Sequence, residues 1–104
     1  MTQETLEKDR IEAIVLDAVR ATNLARDAQS QLEVSSDAKL YAAGSSLDSL
    51  ALVGLLIDIE ESLIEEGFEV SLNDERAMSQ RHSPFRSVPT LVEYIRELID
   101  SRTQ

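Results

Sequence analysis

Aliphatic side chains in this chain recur every three or four residues, and over no useful length do they alternate at every second position. A three-to-four spacing gathers apolar atoms on one face of a helix, whereas alternation would gather them on one face of a strand. The expected fold is therefore all-α. From about Glu4 to Thr22, the residues Ile11, Ile14, Val15, Ala18 and Val19 form a narrow stripe between charged neighbours. That pattern predicts an amphipathic helix with one face to water. Near the other end, Ser87 is placed to cap a last helix, with Pro89 tolerated in its first turn. Leu91, Val92, Ile95, Leu98 and Ile99 supply its inward stripe.

The strongest helical signal lies between these two. Asp48 is a good N-cap, and Leu50, Leu52, Val53, Leu55, Leu56, Ile57, Ile59, Leu63 and Ile64 follow it. The first turns are apolar on nearly every side, which predicts a helix central to the bundle. Its second half is acidic through Asp58, Glu60, Glu61, Glu65 and Glu66, and Gly67 is placed to stop it. Gly54 inside this helix is read either as a spot where another helix packs closely or as room for a bound group beside Leu50 and Val53.

Between Asn23 and Leu47 the periodicity fades. Leu24, Leu32, Val34, Leu40 and Tyr41 are the candidate anchors of an ordered loop that ends in the turn-forming Gly44-Ser45-Ser46. After Gly67, Phe68 and Val70 are expected to re-enter the core. Asn73 or Asp74 could then cap a short helix through about Met78. Gln80 to Arg86 reads as a loop holding the only histidine, His82. A lone His with no cysteine beside it is a poor metal site, and it is read as solvated. The expected architecture is one domain over residues 1–104: three longer helices, one short helix and a long first connection.

Charge narrows the partners. Ten basic residues against twenty acidic ones leave a formal net charge of −10. Such a field repels nucleic acid and anionic membrane surfaces and favours proteins with basic faces. The absence of cysteine excludes disulfides and thiolate chemistry. The opening Met1-Thr2-Gln3-Glu4 carries no secretory pattern, and the longest apolar run, Leu50 to Ile57, is far short of the ~20 residues that span a bilayer. A monomer in the cytoplasm, without membrane insertion, is the expectation.

The chemistry-bearing residues are Asp48, Ser49 and Leu50, at a loop-to-helix junction. A serine there lies near first-turn N–H groups that lack partners within the helix, and the helix dipole favours an anion at that end. The triplet resembles the attachment motif of the acyl carrier proteins, the phosphopantetheine-binding carrier family. The resemblance extends to the apolar-then-acidic helix Leu50 to Glu66, the short helix near Asp74, and Ser87-Val88 before Leu91-Val92-Glu93-Tyr94-Ile95. It covers roughly Leu32 to Ile99 and implies a four-helix bundle of acyl-carrier type. It also implies Ser49 as the covalent attachment point of 4'-phosphopantetheine from coenzyme A, flanked by Asp48 and Leu50.

The implied partners are a phosphopantetheinyl transferase, an acyl or aminoacyl ligase or acyltransferase, and a downstream acceptor enzyme. Many fatty-acid carriers have glycine three places before the serine and acids two and five places after it. Here those positions are Ser46, Ala51 and Gly54. The Gly44-to-Ser49 spacing looks more like D-alanyl carrier proteins, so a carrier of a specialised pathway is expected. Catalysis is not expected, because no oxyanion-hole glycine motif precedes Ser49 and the domain is too small to shelter a reaction. The alternative is a small acidic helical adaptor that binds basic proteins noncovalently.

Overall fold

The computed structural model describes residues 7–41, 47, 49–72 and 84–102, and for 49, 101 and 102 the backbone only. Three α-helices make up the described chain: α1 (Lys8–Asn23), α2 (Ser49–Glu65) and α3 (Val88–Arg102), with a 3-10 turn at Pro84–Arg86 just before α3. The described chain is compact and all-helical; one isolated antiparallel bridge, Lys39 to Ser87, is its only extended pairing. None of these helices is long and apolar enough to cross a membrane.

The first helix begins later than expected. Glu7 is extended, with φ −65° and ψ 147°, so α1 starts at Lys8 and runs one residue past Thr22. Its five expected core residues are all buried. In α3, Leu91, Val92, Ile95 and Ile99 are buried as expected, Val88 joins them, and Leu98 packs at the margin.

The end of α2 follows from one residue. Gly67 adopts φ +95°, a conformation that costs glycine nothing and other residues a steric penalty. The reversal lets Gly67 N–H donate to the Ile64 carbonyl and Phe68 N–H donate to the Leu63 carbonyl, both at 2.9 Å. These two bonds close the end of the helix in a Schellman arrangement. Phe68, carried inward by the turn, packs against the core that Leu63 belongs to.

The expectation that α2 is central is corrected. It is α1 that packs directly against both α2 and α3. Leu52, Leu55, Leu56, Ile59 and Leu63 of α2 face inward and are fully or almost fully buried. Leu50, Ile57 and Ile64 are 81%, 43% and 53% exposed. Among the described helices, α2 has a neighbour on its inward face only, however apolar its other face is.

The long connection after α1 is anchored differently from expectation. Leu32 and Leu40 are buried and Tyr41 packs on the core, but Leu24 is 89% exposed and Val34 is also exposed. Asn23 does the work that hydropathy assigned to Leu24. Its side chain donates to the Leu32 carbonyl at 2.9 Å and accepts the Leu32 N–H at 2.7 Å, folding the chain back on the end of α1. Gln31 adds bonds to the Asn23 and Arg26 carbonyls. The expected turn at Gly44-Ser45-Ser46, the short helix from Asn73 or Asp74 to Met78, and the Gln80–Ser83 part of the loop with His82 lie outside the described residues.

Candidate functional site

The α2 helix begins at Ser49. Two inward side chains set the orientation of that junction: Leu47, two residues before it, is buried, and so is Leu52, three residues after it. With those two directed to the core, Leu50 stands outward beside Ser49. Asp48, the expected N-cap, lies outside the described residues. The backbone N–H groups of the first turn of α2 have no acceptors within the helix, as in any α-helix.

The connection that leads to this junction is fastened across the molecule. Leu40 N–H donates to the Arg86 carbonyl at 2.8 Å and Tyr41 N–H to the Phe85 carbonyl at 2.9 Å. In return, Val88 N–H donates to the Ala38 carbonyl at 2.8 Å, which uses one of the unpaired donors at the start of α3. Ser87 caps α3 as expected. Its Oγ accepts the Thr90 N–H at 3.4 Å, and Thr90 Oγ1 accepts the Ser87 N–H at 3.2 Å, the reciprocal pattern of a capping box. Thr90 Oγ1 also donates to the Pro84 carbonyl at 2.9 Å, which ties the 3-10 turn to the helix. Below this joint, the ring of Phe85 is buried and meets Tyr94 edge-on, with centroids 5.8 Å apart.

The acidic half of α2 divides into two groups. Glu60 Oε2 accepts the Leu72 N–H at 2.6 Å, and so holds the segment after Gly67 against the helix with Leu72 buried. Glu66 accepts from Arg10 at 2.7 Å and links the end of α2 to the start of α1. The hydrogen bond from Arg10 holds the Glu66 carboxyl below its ordinary range, with the guanidinium charge adding to it and partial desolvation opposing. Asp58, Glu61 and Glu65 are exposed and make no ion pair among the described residues.

Gly54 is exposed, and a Cβ placed on it would meet nothing within 4 Å. Close packing by another helix of this chain, one of the two expected reasons for that glycine, is thus ruled out among the described residues. Val53, beside it, is half-buried. Leu50 is too exposed to shield a bound group by itself.

Several contributors went unread in the sequence, among them Asn23, Ala38, Leu47, Leu72 and Phe85, all buried. Asn23 carries a weak signal, since a polar residue ending an apolar stripe often bonds to backbone there. Ala38 and Leu72 are isolated apolar residues with no period to mark them. Among the described residues, no group of three or more His, Asp or Glu side chains gathers as a metal site would require.

No protein-family model matches this chain, and no curated protein or solved structure does.

Proposed function

We propose that this chain is an acyl carrier protein, a four-helix bundle of that type whose short helix spans the segment from Asn73 or Asp74 to about Met78. Ser49 is the attachment point of a 4'-phosphopantetheine arm, and the cargo belongs to a specialised biosynthetic pathway. The observation that carries the reading is the start of α2 at Ser49, in the Asp48-Ser49-Leu50 motif, with Leu47 and Leu52 inward and Leu50 outward around it. The residues fit such a group: a phosphodiester on Ser49 would lie at the positive dipole end of a 17-residue helix. In the loading step, the Ser49 hydroxyl oxygen forms a bond to phosphorus and loses its proton. The adenosine bisphosphate half of coenzyme A leaves. The arm supplies a thiol that holds an acyl or aminoacyl group as a thioester.

The chain itself performs no chemistry in this reading. It keeps the cargo near each partner in turn, and a flexible tether raises the effective concentration there. A phosphopantetheinyl transferase installs the arm, a ligase or acyltransferase loads it, and an acceptor enzyme unloads it. The fastened connection before Ser49 supports the reading, because a presentation site needs a fixed origin for its tether.

The test is intact mass after incubation with coenzyme A and a broad-specificity phosphopantetheinyl transferase, with Ser49→Ala alongside. A gain of one phosphopantetheine group in the wild type alone is expected. If folded, unmodified protein gains nothing, including with a transferase from its own source, the carrier reading falls and the noncovalent acidic adaptor replaces it.

A further inference from the structure

The hydroxyl of Thr90 has more partners than a half-buried side chain in the first turn of a helix needs. It accepts the Ser87 N–H at 3.2 Å. Its one proton points to a carbonyl, that of Pro84 at 2.9 Å or that of Ser87 at 3.0 Å. Ser87 Oγ lies 3.0 Å away, and with the Thr90 proton engaged, the Ser87 hydroxyl is the donor of that pair. Both lone pairs and the proton of Thr90 are then in use.

The start of α3 leaves no donor over for a ligand. Val88 N–H is bonded to the Ala38 carbonyl, Pro89 has no N–H, Thr90 N–H meets Ser87 Oγ, and Leu91 N–H donates to the Ser87 carbonyl at 3.0 Å. A helix cap would be complete with the Ser87–Thr90 pair. The bond from Thr90 to Pro84 does something else: it reaches six residues back and holds the first residue of the 3-10 turn Pro84–Arg86. The next two carbonyls of that turn, on Phe85 and Arg86, are those that accept the Tyr41 and Leu40 N–H groups. Burial of Phe85 and Leu40 presses the two segments together. Burial has no direction, however, and hydrogen bonds do. The orientation of the turn therefore sets the course of the connection at Tyr41, ahead of the buried Leu47 and of Ser49.

We infer that Thr90 is a positioning residue for the loading of Ser49. Its hydroxyl fixes the 3-10 turn, the turn fixes the connection at Leu40 and Tyr41, and the connection holds the Ser49 hydroxyl in line with the phosphorus it attacks. The inference rests on the carrier reading, which names the reaction but gives Thr90 no part in it. Thr90 touches no reacting atom and acts only through backbone carbonyls. Without its hydroxyl the turn is free to rotate, and Ser49 spends less of its time aligned for transfer.

The experiment is single-turnover loading of the full chain, with a phosphopantetheinyl transferase in excess and coenzyme A saturating, read as intact mass against time. The wild type is compared with Thr90→Val, Thr90→Ser and Ser87→Ala. Circular dichroism shows that each is folded, and each is assayed well below its thermal midpoint. Thr90→Val keeps the shape and loses the hydroxyl. Its maximal rate should fall about fivefold or more, while the half-saturating transferase concentration stays as it was. Thr90→Ser should restore the rate. Ser87→Ala weakens the cap but keeps the tie to Pro84, so it should load as the wild type does. If the valine packs badly, Thr90→Ala makes the same test. An unchanged maximal rate in Thr90→Val overturns the inference, because Thr90 is then a cap and nothing more. A Ser87→Ala variant that loads as slowly as Thr90→Val overturns it too, because general stability is then the cause. So does a change confined to half-saturation, which would put Thr90 in binding rather than alignment. A wild type that takes no arm from any transferase, its own included, brings down the carrier reading and this inference together. A loaded wild type with an equally fast Thr90→Val brings down this inference alone.

Discussion

The two faces of α2 are built from the same kinds of side chain and live in opposite surroundings. Inward, Leu52, Leu55, Leu56, Ile59 and Leu63 are closed off from water, while outward, Leu50, Ile57 and Ile64 remain open to it. Hydrophobicity alone therefore does not decide which face of a helix is buried. The decision belongs to the neighbour, and among the described helices α1 supplies one for the inward face.

The comparison breaks most sharply at Leu56. Leu56→Ala removes fully buried atoms and leaves a cavity, and unfolding in urea should show a loss of about 2–5 kcal/mol. A loss under 1 kcal/mol would mean that the inward face is no better packed than the outward one. Asn23→Ala comes next. It leaves the N–H and carbonyl of Leu32 without their partners, and should cost about 1–3 kcal/mol by the same measurement. An unchanged midpoint would show that water replaces the side chain without penalty.

Gly54→Ala reverses the sign. With open space around the new methyl group, helix propensity alone operates, and the free chain should gain about 1 kcal/mol, visible as a higher thermal midpoint. A destabilised variant would mean that the space beside Gly54 is already filled within the monomer. Ile57→Asp should cost about 1 kcal/mol or less, since Ile57 is 43% exposed. A larger loss would move Ile57 into the core of the fold.

The smallest effect expected is that of Arg10–Glu66, an exposed pair of the kind that contributes little. Glu66 titrates below its ordinary value of 4.5 in the folded chain, so its contribution is present above that value and disappears as pH falls through the lowered one. The stability difference between the wild type and Arg10→Gln should therefore shrink on acidification. A difference that grows toward low pH would show that the pair is not what Arg10 contributes.

What could be read from the sequence tracks what carries a period. The stripes of α1 and α3 were legible because each has one apolar face, and a single face implies a single buried side. The stop at Gly67 was legible because left-handed backbone after an apolar run has a glycine signature. The position of α2 was misread as central: a helix apolar on two sides looks so, and among the described helices the placement of α1 shows otherwise. Leu24 and Val34 were misread because a lone apolar residue in a loop has no phase to say which way it points. Asn23 was missed because the bond geometry that buries it depends on where Leu32 returns. At the candidate site, the Ser49 helix start was legible from the motif and the onset of the apolar run. The outward turn of Leu50 was not, since it follows from Leu47 and Leu52 both facing inward.

The fastening between positions 38–41 and 85–88 also shapes the order of events during folding. Each of its three backbone bonds joins stretches of chain that lie on either side of α2 in the sequence. Closing such a long loop before its helices exist would forfeit chain entropy with little in return, so helical turns and the α1–α2 contact should form first. The clasp then arrives late, as a latch on an assembled bundle. Its amide protons on Leu40, Tyr41 and Val88 should exchange with solvent at the rate at which that latch opens, a clock for the connection that delivers the chain to Ser49.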